Sequence, residues 1–243
     1  AFPSPGSFVS WGTMIALVVH GGAWDIPDDL VAGPRAGVLA AVNAGCQMAR
    51  DAMQRDLEYL LSMDPDRLLH MFRVTAGLPS SAEPLGGWEA PNVEVRGHSL
   101  GHYLSACALM YASTGDEKLK AKTDYLIAEL AKCQAALPGQ GCHVGYLSAF
   151  PESFMDRVDA RQPVWAPWYT LHKILAGLLD TYLHGANPQA LDVLVKMTDW
   201  VKLRVDRLTP EQMQRSLDTE FGGMNEVLAN VYFVTGNPEH LRI

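Results

Sequence analysis

The chain has 243 residues, is 48% hydrophobic, and carries 27 acidic against 19 basic residues, a formal net charge of −8. That length supports one large core or two smaller ones, and an acidic balance with no Lys/Arg-rich run argues against a nucleic-acid or anionic-membrane surface. The longest apolar stretch, Met14–Val19, falls far short of the roughly 20 residues a membrane-spanning helix needs.

Taken in chain order, residues 1–13 have no basic n-region and read as a disordered leader rather than a signal peptide. Met14-Ile-Ala-Leu-Val-Val-His20 is a continuous, β-branched apolar run stopped by Gly21-Gly22, which predicts one short buried β-strand, the only convincing one in the chain. A helix is expected from about Pro34 to Ala44. A second follows from about Cys46 to Ser62, with Leu57, Leu60 and Leu61 on one side. Residues 74–95 hold Gly77, Pro79, Pro84, Gly86, Gly87 and Pro91, a long loop of the kind that usually carries function.

From residue 98 the pattern is helical almost to the end. One phrase recurs three times, a helical run closing in Tyr, then Gly, then Asp or Asn: Tyr111…Gly115-Asp116, Tyr182…Gly185-Ala-Asn187 and Tyr232…Gly236-Asn237. Gly stops a helix and Asp or Asn caps the next, so each phrase is the joint of a helical hairpin. Inner-type helices rich in Gly, Ala, His and aromatics are placed near 98–114, 166–184 and 221–235. Charged outer-type helices are placed near 116–136, 188–207 and 210–218. The predicted architecture is all-α, an incomplete (α/α)6 toroid of helical hairpins plus the short N-terminal strand. Each hairpin spans about 50 to 70 residues, so a closed ring of six needs well over 300, and Asn237-Pro238 opens a further helix just before the sequence stops.

The four cysteines, Cys46, Cys107, Cys133 and Cys142, show neither CxxC nor metal-ligand spacing with His, and read as free thiols. Cys107 falls on an apolar helix face, and a Cys133–Cys142 disulfide stays open should the protein be exported.

Several motifs compete for the function. Val19-His20-Gly21-Gly22 resembles an oxyanion-hole loop, and Gly97-His98-Ser99-Leu100-Gly101 fits the nucleophile elbow of an α/β serine hydrolase. An elbow needs a buried strand before it, however, and Pro91–Arg96 offers only Val93 and Val95; Ser99 reads better as a helix-start residue. His98 and His102, four apart, share a helix face. With no third ligand nearby, they suit the lining of a polar cavity better than a zinc site. Val164 to Lys173 is the densest aromatic cluster. In it, Trp165, Trp168 and His172 offer indole faces for sugar rings and an imidazole for hydroxyls, with aromatic core packing as the equal alternative. Glu220, Asn225 and Glu226 begin the third inner helix, and Glu220 serves equally as a cap or a ligand contact.

Taken together, the segments Leu60 to Leu69, Ala76 to Pro79, Gly97 to Ala106, Trp165 to Gly177 and Glu220 to Glu226 resemble the β-L-arabinofuranosidase-type glycoside hydrolases of family 146 and its relative family 127, over about residues 50–243. The resemblance implies an (α/α)6 catalytic barrel releasing L-arabinofuranose from plant-derived glycans, with carbohydrate as partner and with His102, His172 and the segment holding Glu220, Asn225 and Glu226 lining the sugar pocket; His98, Trp165 and Trp168 join them as candidate substrate-binding residues. Family members are similar in using a cysteine thiolate on a Cys3Glu zinc site as nucleophile and a separate Glu as acid/base, unlike the two-carboxylate scheme of most glycosidases. The resemblance implies that those residues and the zinc belong to the full-length family member beyond residue 243. This chain alone is then expected to be a truncated fragment without turnover, to self-associate through open apolar faces, and to bind no cofactor. A non-catalytic helical scaffold is the alternative. Residues 14–49 instead look like the start of a plant-type asparaginase or isoaspartyl peptidase, through Ala16 to Leu30 and Arg35 to Gly45, implying a foreign front end joined to the glycosidase-like part.

Overall fold

The computed structural model describes residues 35–218, 220 and 223–243, with side chains from residue 45 onward. The strand expected at residues 14–20 and the leader before it lie outside the described residues. Among those described the structure is all-α, with no strand. The chain divides into two units, residues 1–62 and 63–243.

The described part of the first unit is one helix, α1 (Arg35–Ser62). The two helical stretches expected on either side of Gly45 are therefore continuous, and the boundary expected near residue 49 falls inside this helix. A glycine costs a helix interior only about 1 kcal/mol, and nothing within 4 Å crowds Gly45, so a single Gly does not break a run of good helix formers.

The second unit opens with α2 (Pro65–Thr75), capped by Asp64, whose side chain accepts from Asp66 N. A long connection follows, broken by a 3-10 turn at Gly87–Glu89. Three helical hairpins then come in order: α3 (His98–Thr114) with α4 (Glu117–Ala136), α6 (Pro167–Leu183) with α7 (Pro188–Val205), and α9 (Met224–Thr235) with a 3-10 turn at Pro238–Leu241. The short helices α5 (Ser153–Asp159) and α8 (Pro210–Leu217) sit in the connections and pack on each other.

The inner helices lie side by side, α3 on α6 and α6 on α9, while α4 and α7 pack together and α2 lies on α4. This is the arrangement expected of a toroid of hairpins. The α3–α6 contact is the closest, because Gly101 and Gly177 face each other: a Cβ on Gly101 would stand 2.2 Å from the Lys173 carbonyl, and one on Gly177 2.5 Å from Gly101 O. Only glycines let two helix backbones approach so far. The core between layers is filled by fully buried Leu104, Cys107, Leu126, Leu130, Leu175 and Trp200.

All three joints form, by slightly different means. Gly115 and Gly236 adopt φ of 66° and 67° as helix stops. In the middle joint the left-handed residue is Ala186 at φ 51° instead. Gly185 is needed for space, since a Cβ there would lie 2.7 Å from Thr181 O. Asp116 and Asn187 cap α4 and α7 by accepting from Leu119 N at 2.8 Å and Ala190 N at 3.1 Å. The serine-elbow geometry is absent: Pro91–Arg96 is a series of turns, and Ser99 occupies the first turn of α3.

Candidate functional site

Each inner helix begins at a residue of positive φ: Gly97 at 100°, Ala166 at 49° and Gly223 at 65°. None of the three supplies a side-chain cap, so the orphan N–H groups of the first turns must find partners elsewhere. On α3 and α6 a carboxylate from a connecting segment meets them. Glu89 accepts from Gly97 N at 2.6 Å and Ser99 N at 2.8 Å. Glu220 accepts from Trp168 N at 2.7 Å and from Tyr169 N. Negative charge at a helix N-terminus is further favoured by the macrodipole.

Glu220 therefore precedes α9 rather than starting it, and both its oxygens are engaged as a cap of α6. Burial pushes its carboxyl up, against the two N–H donors that pull it down. At Glu89 burial also pushes up, yet the hydrogen bonds from His98, Gly97 and Ser99 outweigh it and hold the group below the usual carboxylate range.

Between these helix starts lies a cavity of about 600 Å³ whose walls include His98, His172, Glu220, Trp165, Tyr169 and Trp88. His98 is buried, with Nδ1 2.9 Å from Glu89 Oε1 and 3.0 Å from Val95 O. Two acceptors at one nitrogen require the proton there, which leaves Nε2 as the nitrogen open to a ligand. Glu89 is the chief cause of the raised pKa of His98. His172 is the opposite case: burial, with the Lys173 charge, lowers its pKa. Its Nε2 is buried without a hydrogen-bond partner among the described residues, and Glu226 Oε2 stands 3.7 Å away. His102 lies beside the cavity, its Nε2 3.1 Å from Tyr169 Oη, with its pKa lowered by burial first and then by Lys173 and its neighbouring histidines.

The remaining predicted residues are placed differently. Trp168 and Asn225 line a second hollow of about 390 Å³ among Val201, Met213, Leu217 and Leu228, with Glu220 shared between the two spaces. Trp168 is mostly buried and packs 6.5 Å from Trp200. Glu226 is largely exposed and accepts from Asn230 Nδ2 at 2.9 Å. Trp88, Glu89 and Tyr169 were not singled out from sequence. Tyr169 stood within the aromatic cluster, while Trp88 and Glu89 sit in the long loop, whose length was the only signal.

All four cysteines are free. Burial pushes the Cys107 thiol to about 11 and that of Cys133 to about 12, so both stay protonated at neutral pH. Among the described residues no group of three His, Cys, Asp or Glu side chains converges as a metal site. No helix among them is long and apolar enough to cross a membrane.

A family model described as β-L-arabinofuranosidase, GH127 catalytic domain, matches residues 41–243. Among solved structures, the fold resembles a GH127 β-L-arabinofuranosidase from Geobacillus stearothermophilus T6, with a TM-score of 0.51 at 18% identity over 74% of this chain and 26% of that one. The chain thus spans about a quarter of the length of that relative, and at this identity the likeness concerns the fold. No curated protein matches the chain.

Proposed function

The chain belongs to the β-L-arabinofuranosidase GH127 catalytic-domain family, and on that premise we propose that the cavity between the starts of α3 and α6 receives the L-arabinofuranose unit of a plant-derived glycan, as part of a glycoside hydrolase. The observation that carries this reading is the cavity itself, which gathers His98, His172, Trp165 and Tyr169 around one space. His172 contributes an imidazole whose Nε2 makes no hydrogen bond among the described residues and has Glu226 Oε2 at 3.7 Å, a polar group of the kind that orients a hydroxylated ligand. His98, held with Nε2 free, offers a second hydroxyl contact. Tyr169 and Trp165 supply apolar ring surface against the sugar's C–H face.

The chemistry of bond cleavage is a separate matter. The thiolate–zinc centre that the family resemblance implies does not fit the described residues: no metal-ligand group converges among them, Cys107 and Cys133 are fully buried and remain thiols, and Cys142 is also pushed up by burial. In this proposal the chain contributes sugar-binding walls, and turnover belongs to a longer polypeptide carrying the nucleophile. Titration with L-arabinose, followed through the tryptophan indole and histidine ring signals by NMR, tests the binding half. Trp165, His98 and His172 signals are expected to move while the buried Trp200 stays still, and His172→Ala is expected to weaken binding at least about tenfold, as loss of a buried polar contact does. Unmoved signals at high arabinose would refute it. Release of arabinose from a synthetic β-L-arabinofuranoside by the purified chain would overturn the separation of binding from turnover.

A further inference from the structure

Two indoles in the cavity wall keep much of their surface exposed. Trp88 is 65% exposed and Trp165 48%, and their rings meet edge to face, 6.0 Å apart at 84°. Trp88 also lies 6.1 Å from the His98 ring, so the pair is continuous with the cavity. Large aromatic side chains on a loop normally fold down onto apolar surface, where each buries much of its area. Here neither ring does so, and the backbone beneath each is tied in place.

The 3-10 turn Gly87–Glu89 is pinned through the residue after Trp88, because Glu89 turns inward onto the α3 N-terminus. The base of the same loop is tied by Arg67, which donates to Glu83 O at 3.1 Å and Pro84 O at 3.2 Å. Trp165 is pinned through its own N–H, which donates to Glu94 Oε2 at 2.8 Å, while Glu94 Oε1 accepts from Arg157 at 2.6 Å. Both rings are thus held open by carboxylates that serve the backbone beneath them. Aromatic surface ordered in advance binds without the entropy cost of arranging itself, and a right-angled indole corner suits the flat C–H face of a saturated ring that also presents hydroxyls at its edge.

We propose that Trp88 and Trp165 form a second sugar subsite, which takes the ring next to the arabinofuranose unit in an oligosaccharide and makes the site prefer chains over free arabinose. The inference rests on the reading of the cavity given above. It makes Trp88 a specificity-determining residue.

Isothermal titration or NMR titration of the chain with L-arabinose and with a β-linked arabinofuranosyl disaccharide tests it. The disaccharide is expected to bind about tenfold more tightly, ~1.4 kcal/mol. In Trp88→Ala the ratio of the two affinities should fall to about one, and in Trp88→Phe, which keeps an aromatic face, most of the ratio should survive. Circular dichroism identical to that of the parent excludes loss of fold as the cause. If arabinose binds but the disaccharide has no advantage, or the advantage survives in Trp88→Ala, the second subsite is wrong while the cavity reading stands. If neither sugar binds, the cavity reading fails and takes the subsite with it.

Discussion

Glu89 governs the site at the level of single residues. Its carboxylate closes the α3 N-terminus and faces His98 Nδ1 at 2.9 Å, so one side chain orders a helix start and decides which imidazole nitrogen meets a ligand. The raised pKa of His98, set chiefly by Glu89, means that the pair's stabilisation is complete below the unfolded histidine value and is lost as pH rises through the folded one. The lowered pKa of Glu89 means that its share is present above the unfolded carboxyl value and is lost as pH falls through the folded one. The pair therefore contributes most between those two ranges. Glu89→Gln is expected to lower the unfolding free energy by about 1–3 kcal/mol near pH ~5.5, and by less near pH ~8.5, because the His98 share of the pair is lost as pH rises through its raised folded value. Urea unfolding at the two pH values measures this, and a difference that grows with pH would contradict the assignment.

Helices meet their neighbours here through specific close approaches rather than through amphipathicity alone. The α3–α6 crossing depends on Gly101, since no other residue leaves the Lys173 carbonyl where it is. Gly101→Ala is expected to cost about 3 kcal/mol or more, because the clash is with backbone and only a shift of the whole helix relieves it; a melting temperature unchanged from the parent would show that α3 moves freely. Arg204 ties α7 to α5 from a buried position, reaching Asp156 at 2.9 Å and Asp159 at 2.5 Å. Asp156 is exposed, so Arg204→Ala strands chiefly Asp159 and is expected to cost about 1–3 kcal/mol at neutral pH. Burial already raises the Asp159 carboxyl, with Arg204 opposing it, so the deficit should shrink as pH falls toward ~4 and Asp159 takes up a proton, since the neutral acid needs no cation. Unfolding curves at both pH values decide.

For the molecule as a whole, the three hairpins leave α9 as the last inner helix described, and Phe233 on it is 87% exposed, beside Tyr232. An exposed ring of this kind offers a point at which copies can meet. Self-association that rises with concentration is the expected behaviour, and Phe233→Ser should shift it toward monomer. Sedimentation velocity across a concentration series checks this, and a single monomeric boundary at every concentration would remove the expectation.

The helical hairpins and their joints were legible because they are local: a helix stop such as Gly115 and a cap such as Asp116 act within a few residues of themselves. His98, Trp165, His172 and Glu220 could likewise be named from one segment each, and the structure brings them around one cavity. The separation of Trp168 and Asn225 into the other hollow was not legible, because helical spacing gives a residue's direction but not which space its neighbours leave there. Trp88 and Glu89 were hidden for the same reason. Glu89 matters through backbone N–H groups of Gly97 and Ser99, eight and ten residues on, and Trp88 through a ring 77 positions away that only packing sets beside it. Short-range chemistry written in the chain determined which helices form and where they stop; the approach of α3 to α6, and with it the cavity, was decided by contacts between segments far apart in sequence.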